Sequence, residues 1–186
     1  MRPQKIEDNE LLSGLMNVLR SKGYDGASLN ELAQSSGLKK ASLYHRFPGG
    51  KQEITQAVLA YVDTWLDIHI AKVASDRSLP ARERLGTLVR NIAVLYDDGK
   101  VPCILRALSL GSGMELFSGQ LEHSMGKWIA AFTLLALDFG KTEQEASDIG
   151  VKVVILVQGS LIVARTMKDT HYFQNALASV IKLYQV

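Results

Sequence analysis

The 186-residue sequence holds a single cysteine, Cys103, so no disulfide can form within the chain. That excludes a disulfide-stapled scaffold and points to a reducing, cytoplasmic setting. The apolar flanks of Cys103, Pro102 and Ile104, mark it as a buried, inert thiol rather than a redox sensor. Only four prolines occur, at 3, 48, 80 and 102, which leaves long stretches free to be helical. The histidines, at 45, 69, 123 and 171, are scattered, and none forms H-x-x-x-H or pairs with a cysteine at metal-ligand spacing. His69 and His123 are expected in the core. There is no P-loop, dinucleotide fingerprint or G-x-S-x-G, and the G-S-G at 111–113 joins two predicted helices instead of a strand and a helix. The sequence therefore gives no support for catalysis, a metal or a cofactor. The N-terminus is polar and charged through Glu10, unlike a signal peptide. The most apolar run, Ile149 to Met167, is broken by Lys152, Gln158 and Arg165 and reads as a buried helix rather than a membrane span.

What is present is an uneven charge and one dense motif. Residues 1–51 carry eight Lys/Arg against five Asp/Glu, while the remainder carries thirteen against fourteen. The positive surplus sits where a polyanion would meet it. Within it, Ser28 to Lys51 reads S-L-N-E-L-A-Q-S-S-G-L-K-K-A-S-L-Y-H-R-F-P-G-G-K. Ser28 and Glu31 have the spacing of a capping box. Leu29, Leu32 and Ala33 then give a first helix its apolar stripe, and Gly37 suits a sharp turn. In the second helix, over about 39–46, Leu38, Leu43 and Phe47 can face inward. That leaves Lys39, Lys40, Ser42, Tyr44, His45 and Arg46 outward, a short basic and polar helix of the kind that enters the major groove.

This stretch resembles the DNA-binding segment of the TetR family of bacterial transcriptional regulators. The family signature is a capped helix, a glycine turn, and [ST]-L-Y-x-x-F before a lysine, and Ser42-Leu43-Tyr44-His45-Arg46-Phe47 matches it without a gap. Three residues, Pro48, Gly49 and Gly50, precede Lys51 where the family usually has two. This F-P-G-G-K form resembles the LmrA/YxaF-like subgroup. The resemblance covers about residues 6–65. It implies an all-α fold of about nine helices: a three-helix helix-turn-helix head over residues 1–52, with its motif at about 28–47, and a helical effector-binding and dimerisation domain over 53–186. It also implies phosphate contacts by Ser28, Tyr44 and Lys51. Lys39, Lys40, Ser42 and His45 are the candidates for base edges.

Periodicity and caps predict the remaining elements. A first helix runs from about Glu7 to Lys22 and a long fourth helix from Gly50 to about Ala74, on whose start the small head is expected to pack. Pro80 is expected at the first position of a helix ending near Asp98. Helices are expected at about 102–110, 118–139, 142–168 and 172–184, with Gly111 and Gly113 making a break. Val153 to Val157 leave almost no polar side, so opposing faces of that helix need cover, by the chain's own domain and a partner or at the centre of a monomer. A two-chain four-helix bundle would use Val153, Leu156, Gly159 and Ser160 with Leu177, Ile181 and Tyr184. Tyr61, Trp65, Tyr96, Met125, Trp128 and Phe132 sit on helices that in the family surround an inducer cavity, and each lines a pocket or fills the core. Arg106, His123 and Gln158 are polar groups that either orient a ligand or are satisfied by a neighbour or by solvent. The combined expectation is a homodimeric repressor that binds a palindromic operator and is released by a small, apolar or aromatic effector. A DNA-binding protein of the same fold without an effector, and a helical ligand-binding protein or enzyme, are the alternatives.

Overall fold

The computed structural model describes residues 7–184, and the secondary structure of those residues is entirely helical. The elements are α1 (Asp8–Gly26), α2 (Leu29–Ser35), α3 (Lys40–Arg46) and α4 (Gly50–Leu66), then a π-helical turn (Asp67–Ala71) running into α5 (Lys72–Ser75). They continue with α6 (Ala81–Leu95), a 3₁₀ turn (Asp97–Gly99), α7 (Ile104–Leu108), α8 (Gly111–Asp138), α9 (Glu143–Met167) and α10 (His171–Leu183). Leu66, Ala71 and Lys72 all keep right-handed helical angles, so α4, the π turn and α5 form one unbroken rod, the fourth helix expected from sequence.

The chain forms two compact units. The first gathers the described residues through Asp63 together with Ile104–Leu121; the second gathers Thr64–Cys103 and the described residues from Glu122 on. In the first unit, α1 buries Leu11, Leu15 and Leu19 at helical spacing and packs on α2 and α7. Its backbone leaves the helix at Gly23, where the sequence predicts its end.

In the second unit, α9 starts on a capping box. The Thr142 hydroxyl accepts from the Glu145 N–H at 3.3 Å, and the Glu145 carboxylate accepts from the Thr142 N–H at 2.9 Å. α9 crosses α8 at Gly150, where a Cβ would lie 2.3 Å from Thr133 Oγ1 and 2.7 Å from Ile129 O. α10 packs on α9, burying Phe173, Leu177 and Val180, and the Tyr184 hydroxyl donates to Phe132 O at 2.9 Å. Burial pushes the Tyr184 phenol well above its usual pKa. Arg84, itself buried, donates to Leu79 O, Ala74 O and the Asp138 carboxylate, while Arg77 reaches the same carboxylate at 3.0 Å. Burial alone would raise the Asp138 pKa, but hydrogen bonds from Arg84 and Arg77 hold it below its usual value.

Several expectations need correction. α8 begins at Gly111, two turns earlier than predicted, because the Asp25 carboxylate accepts from the Ser112 N–H at 3.0 Å and caps it from a distant segment. Pro80 is the cap residue before α6, with extended ψ, rather than its first helical residue. α6 stops at Leu95, since Asp97 and Asp98 take left-handed angles that aspartate tolerates, and α7 is confined to Ile104–Leu108. His123 is exposed, and His69 is half-buried with its ring 4.7 Å from that of Trp65. Cys103 is buried, as its flanks predict.

α9 is long and apolar enough to cross a membrane by length and composition, with a mean hydropathy of 1.7, but only one stripe of it is buried within the chain. Ala146, Ile149, Gly150, Val153, Val157, Leu161 and Ala164 form that stripe. Val151, Ile155, Ile162 and Val163 are exposed.

Candidate nucleic-acid interface

The helix-turn-helix motif is assembled in the first unit by local rules. At the start of α2, the Glu31 N–H donates to Ser28 Oγ at 3.3 Å, and the Glu31 carboxylate accepts from the Ser28 N–H at 3.1 Å, which completes the capping box. α2 closes as the Gly37 N–H donates to Gln34 O and the Leu38 N–H to Ala33 O at 3.1 Å, with Gly37 at φ +68, an angle that glycine adopts without cost. α3 then rests on the core through Leu43, with Phe47 buried just beyond its end. Its other six residues are exposed, and Leu38 is half-buried.

The side chains of Lys39, Lys40, Ser42, Tyr44 and His45 project from α3 and its cap with no hydrogen bond or ion pair among the described residues. They are thus brought together and available. Arg46 is instead held by Asp8 of α1, which fixes the end of α3 to the first helix. The Ser28 hydroxyl donates to the Glu31 carboxylate at 2.7 Å, so its proton is engaged in the cap, and a phosphate could claim it only by turning it away. Glu31 also accepts from Lys22.

Lys51 is half-buried, with its ammonium 4.5 Å from the centroid of the Tyr24 ring, a cation–π contact that the sequence does not announce. Tyr24 in turn packs edge-on to Phe117 at 5.3 Å. The Glu53 carboxylate accepts from the Gly49 N–H at 2.7 Å and caps α4 beside Lys51. Sequence reasoning missed Glu53, although its position four residues after Gly49, in the first turn of α4, is a legible cap signal.

The residues expected at an effector site divide between the units. Tyr61 and Arg106 belong to the first, while Trp65, Tyr96, Met125, Trp128, Phe132 and Gln158 belong to the second. In the second unit Tyr96, Trp128 and Phe132 are buried, and the Trp128 and Phe132 rings are 6.2 Å apart and nearly parallel. Gln158 Nε2 lies 3.5 Å from the Tyr96 hydroxyl, and its buried Oε1 has no hydrogen-bond donor among the described residues. Of the residues expected at a dimer interface, Val153, Leu177 and Tyr184 are packed inside their own unit. Gly159 is exposed with open space beside it, and Leu156, Ser160 and Ile181 are half-buried. No group of three or more His, Cys, Asp or Glu among the described residues is placed to hold a metal ion.

Residues 11–58 match the family model described as bacterial regulatory proteins, tetR family. Over 164 residues the chain is 26% identical to the uncharacterized HTH-type transcriptional regulator YxaF of Bacillus subtilis (strain 168), covering 86% of this chain and 85% of that one. It is 34% identical over 131 residues to the biofilm operon icaADBC HTH-type negative transcriptional regulator IcaR of Staphylococcus aureus (strain Newman), covering 67% of this chain and 68% of IcaR. The fold also matches a cysteine mutant of the TetR family transcriptional regulator CifR complexed with 26-bp double-strand operator DNA, at a TM-score of 0.73 and 21% identity over 100% of this chain and 99% of that one. The motif that the structure builds from Ser28 to Lys51 lies wholly within the matched span, and the identity to IcaR extends well beyond it: the chain belongs to the tetR family of bacterial regulatory proteins.

Proposed function

We propose that the protein is a homodimeric repressor that grips a palindromic operator through α3 and releases it when a small, mostly apolar effector binds in the second unit. The observation that carries this reading is α3 itself. Six of its seven residues are exposed, held to the core by Leu43 alone, with unengaged basic and polar groups. Such a face has no packing role and suits a groove lined with phosphates. In this assignment Tyr44, Lys51 and, after its hydroxyl turns, Ser28 hold phosphates, while Lys39, Lys40, Ser42 and His45 read base edges. The recognition head is residues 1–52 and the effector and dimer region 53–186. The relatives support a regulatory role, IcaR being a negative transcriptional regulator and CifR having been captured on operator DNA. The F-P-G-G-K turn, together with the likeness to YxaF, supports placement in the LmrA/YxaF-like subgroup.

Two heads are needed for a palindrome, because half-sites lie about 34 Å apart. The uncovered apolar face of α9, running through Val151, Ile155, Gly159 and Ile162, supports a second copy as its cover. The aromatic interior around Trp128 and Phe132, with the unmatched acceptor Gln158 Oε1, supports an effector that has an apolar body and one hydrogen-bond donor.

Titration of operator and scrambled DNA across a salt series tests the α3 face. Lys39→Ala, Lys51→Ala and Tyr44→Phe are each expected to weaken operator binding. Loss of a lysine that contacts phosphate should lower the salt slope by about one. Unchanged affinity in all three variants would remove α3 from the interface.

A further inference from the structure

The end of α1 and the α7–α8 turn enclose a cleft of about 210 Å³ inside the first unit, lined among others by Arg20, Lys22, Tyr24, Asp25, Arg106 and Leu110. Its two walls come from segments far apart in sequence and are tied by the Asp25 carboxylate on the Ser112 N–H. The seam is tight: a Cβ on Gly111 would sit 2.3 Å from Asp25 Oδ2, and Gly111 takes φ +54. Three cations face the cleft against one carboxylate, and that carboxylate is already committed to the start of α8. Lys22 is paired with Glu31, and buried Arg20 has an Nη2 contact with Met16 Sδ. The guanidinium of Arg106, a half-buried residue, makes no hydrogen bond or ion pair among the described residues. A guanidinium partly withdrawn from water without an acceptor is costly, and its planar fork fits an oxyanion. The cleft is small, so an occupant must be compact.

We propose that this cleft binds a compact oxyanion, a phosphate or a small carboxylate, on Arg106, with Arg20 and Lys22 adding positive field. Tyr24 forms one wall and carries the Lys51 ammonium on its ring. An anion here therefore competes for the lysine assigned above to operator phosphate and lowers DNA affinity, a link that rests on that assignment.

Calorimetric titration of the full chain with inorganic phosphate and, separately, with malonate, at constant ionic strength with chloride as control, tests the site. One of the two anions is expected to bind saturably, and which one identifies the source. Arg106→Gln is expected to weaken that binding by at least about tenfold, with partial rescue by Arg106→Lys. Leu110→Trp, at a 61% exposed position of the lining, is expected to block the cleft without altering its charge and guards against a folding defect in the arginine variants. Absence of saturable binding by the wild type, or binding by Arg106→Gln and Leu110→Trp as tight as the wild type's, overturns the site. Operator titration with the anion present then reads the link: affinity should fall in the wild type and hold in Leu110→Trp. Operator affinity indifferent to bound anion overturns the link, whereas a wild type that binds anion but no DNA overturns the operator assignment and upholds the site.

Discussion

Glu31 lies half-exposed at the start of α2, and the Lys22 ammonium and the Ser28 hydroxyl and N–H hold its carboxyl down at about 2 from an ordinary 4.5. A carboxyl held low in the folded state contributes stability that is complete above the ordinary value and lost as pH falls through the folded one. Glu31→Ala should therefore be less stable than the wild type at neutral pH, with the gap closing between pH 4.5 and about 2, as followed by denaturant melts across that range. Ser28→Ala removes the other half of the box and should cost about 1 kcal/mol. These caps were legible because both partners lie within four residues, as are those of Thr142 and Glu145 at α9. Asp25 was not legible. It caps a helix 87 residues away, and its sequence neighbours give no hint of the partner. The Tyr24–Lys51 contact was hidden for the same reason, and so was the engagement of Arg46 by Asp8.

Among the helices, α9 shows how far periodicity reaches. Its apolar run predicts a helix needing cover on more than one side, and one stripe is indeed buried against its own unit. The pattern could not assign residues to sides, because nearly every position is apolar. Gly150 and Gly159 look alike in sequence, yet the first sits hard against Thr133 and the second faces open space. The interface assignment therefore shifts toward exposed positions such as Ile155, which is 63% exposed. Ile155→Asp should leave the thermal stability of the single subunit unchanged and shift sedimentation from dimer to monomer at micromolar concentration. Gly159→Leu should do the same by overpacking a close crossing, at about 1–3 kcal/mol. A wild type that sediments as a monomer would remove the two-headed operator model.

At the scale of the whole molecule, the switch needs an effector that prefers one arrangement of the helices over another; tight binding alone shifts nothing. A hundredfold preference corresponds to about 2.7 kcal/mol per site, enough to loosen an operator substantially. Trp65 and Trp128 are the only tryptophans and both belong to the second unit, so candidate effectors that release DNA should also change tryptophan emission. Release with unchanged emission would place the pocket away from both rings. The number of helices and the recognition motif could be read in advance from caps and periodicity. The grouping of α7 and the start of α8 with α1 could not, since it depends on contacts across some eighty residues of chain. That grouping has a consequence for how such genes can be recombined. α7 covers α1, so a fragment ending at residue 63 would carry the recognition helices but expose part of their own core. A chimera meant to transplant operator choice must move two stretches of coding sequence together, joined at three crossovers, and a simple N-terminal exchange should yield insoluble protein.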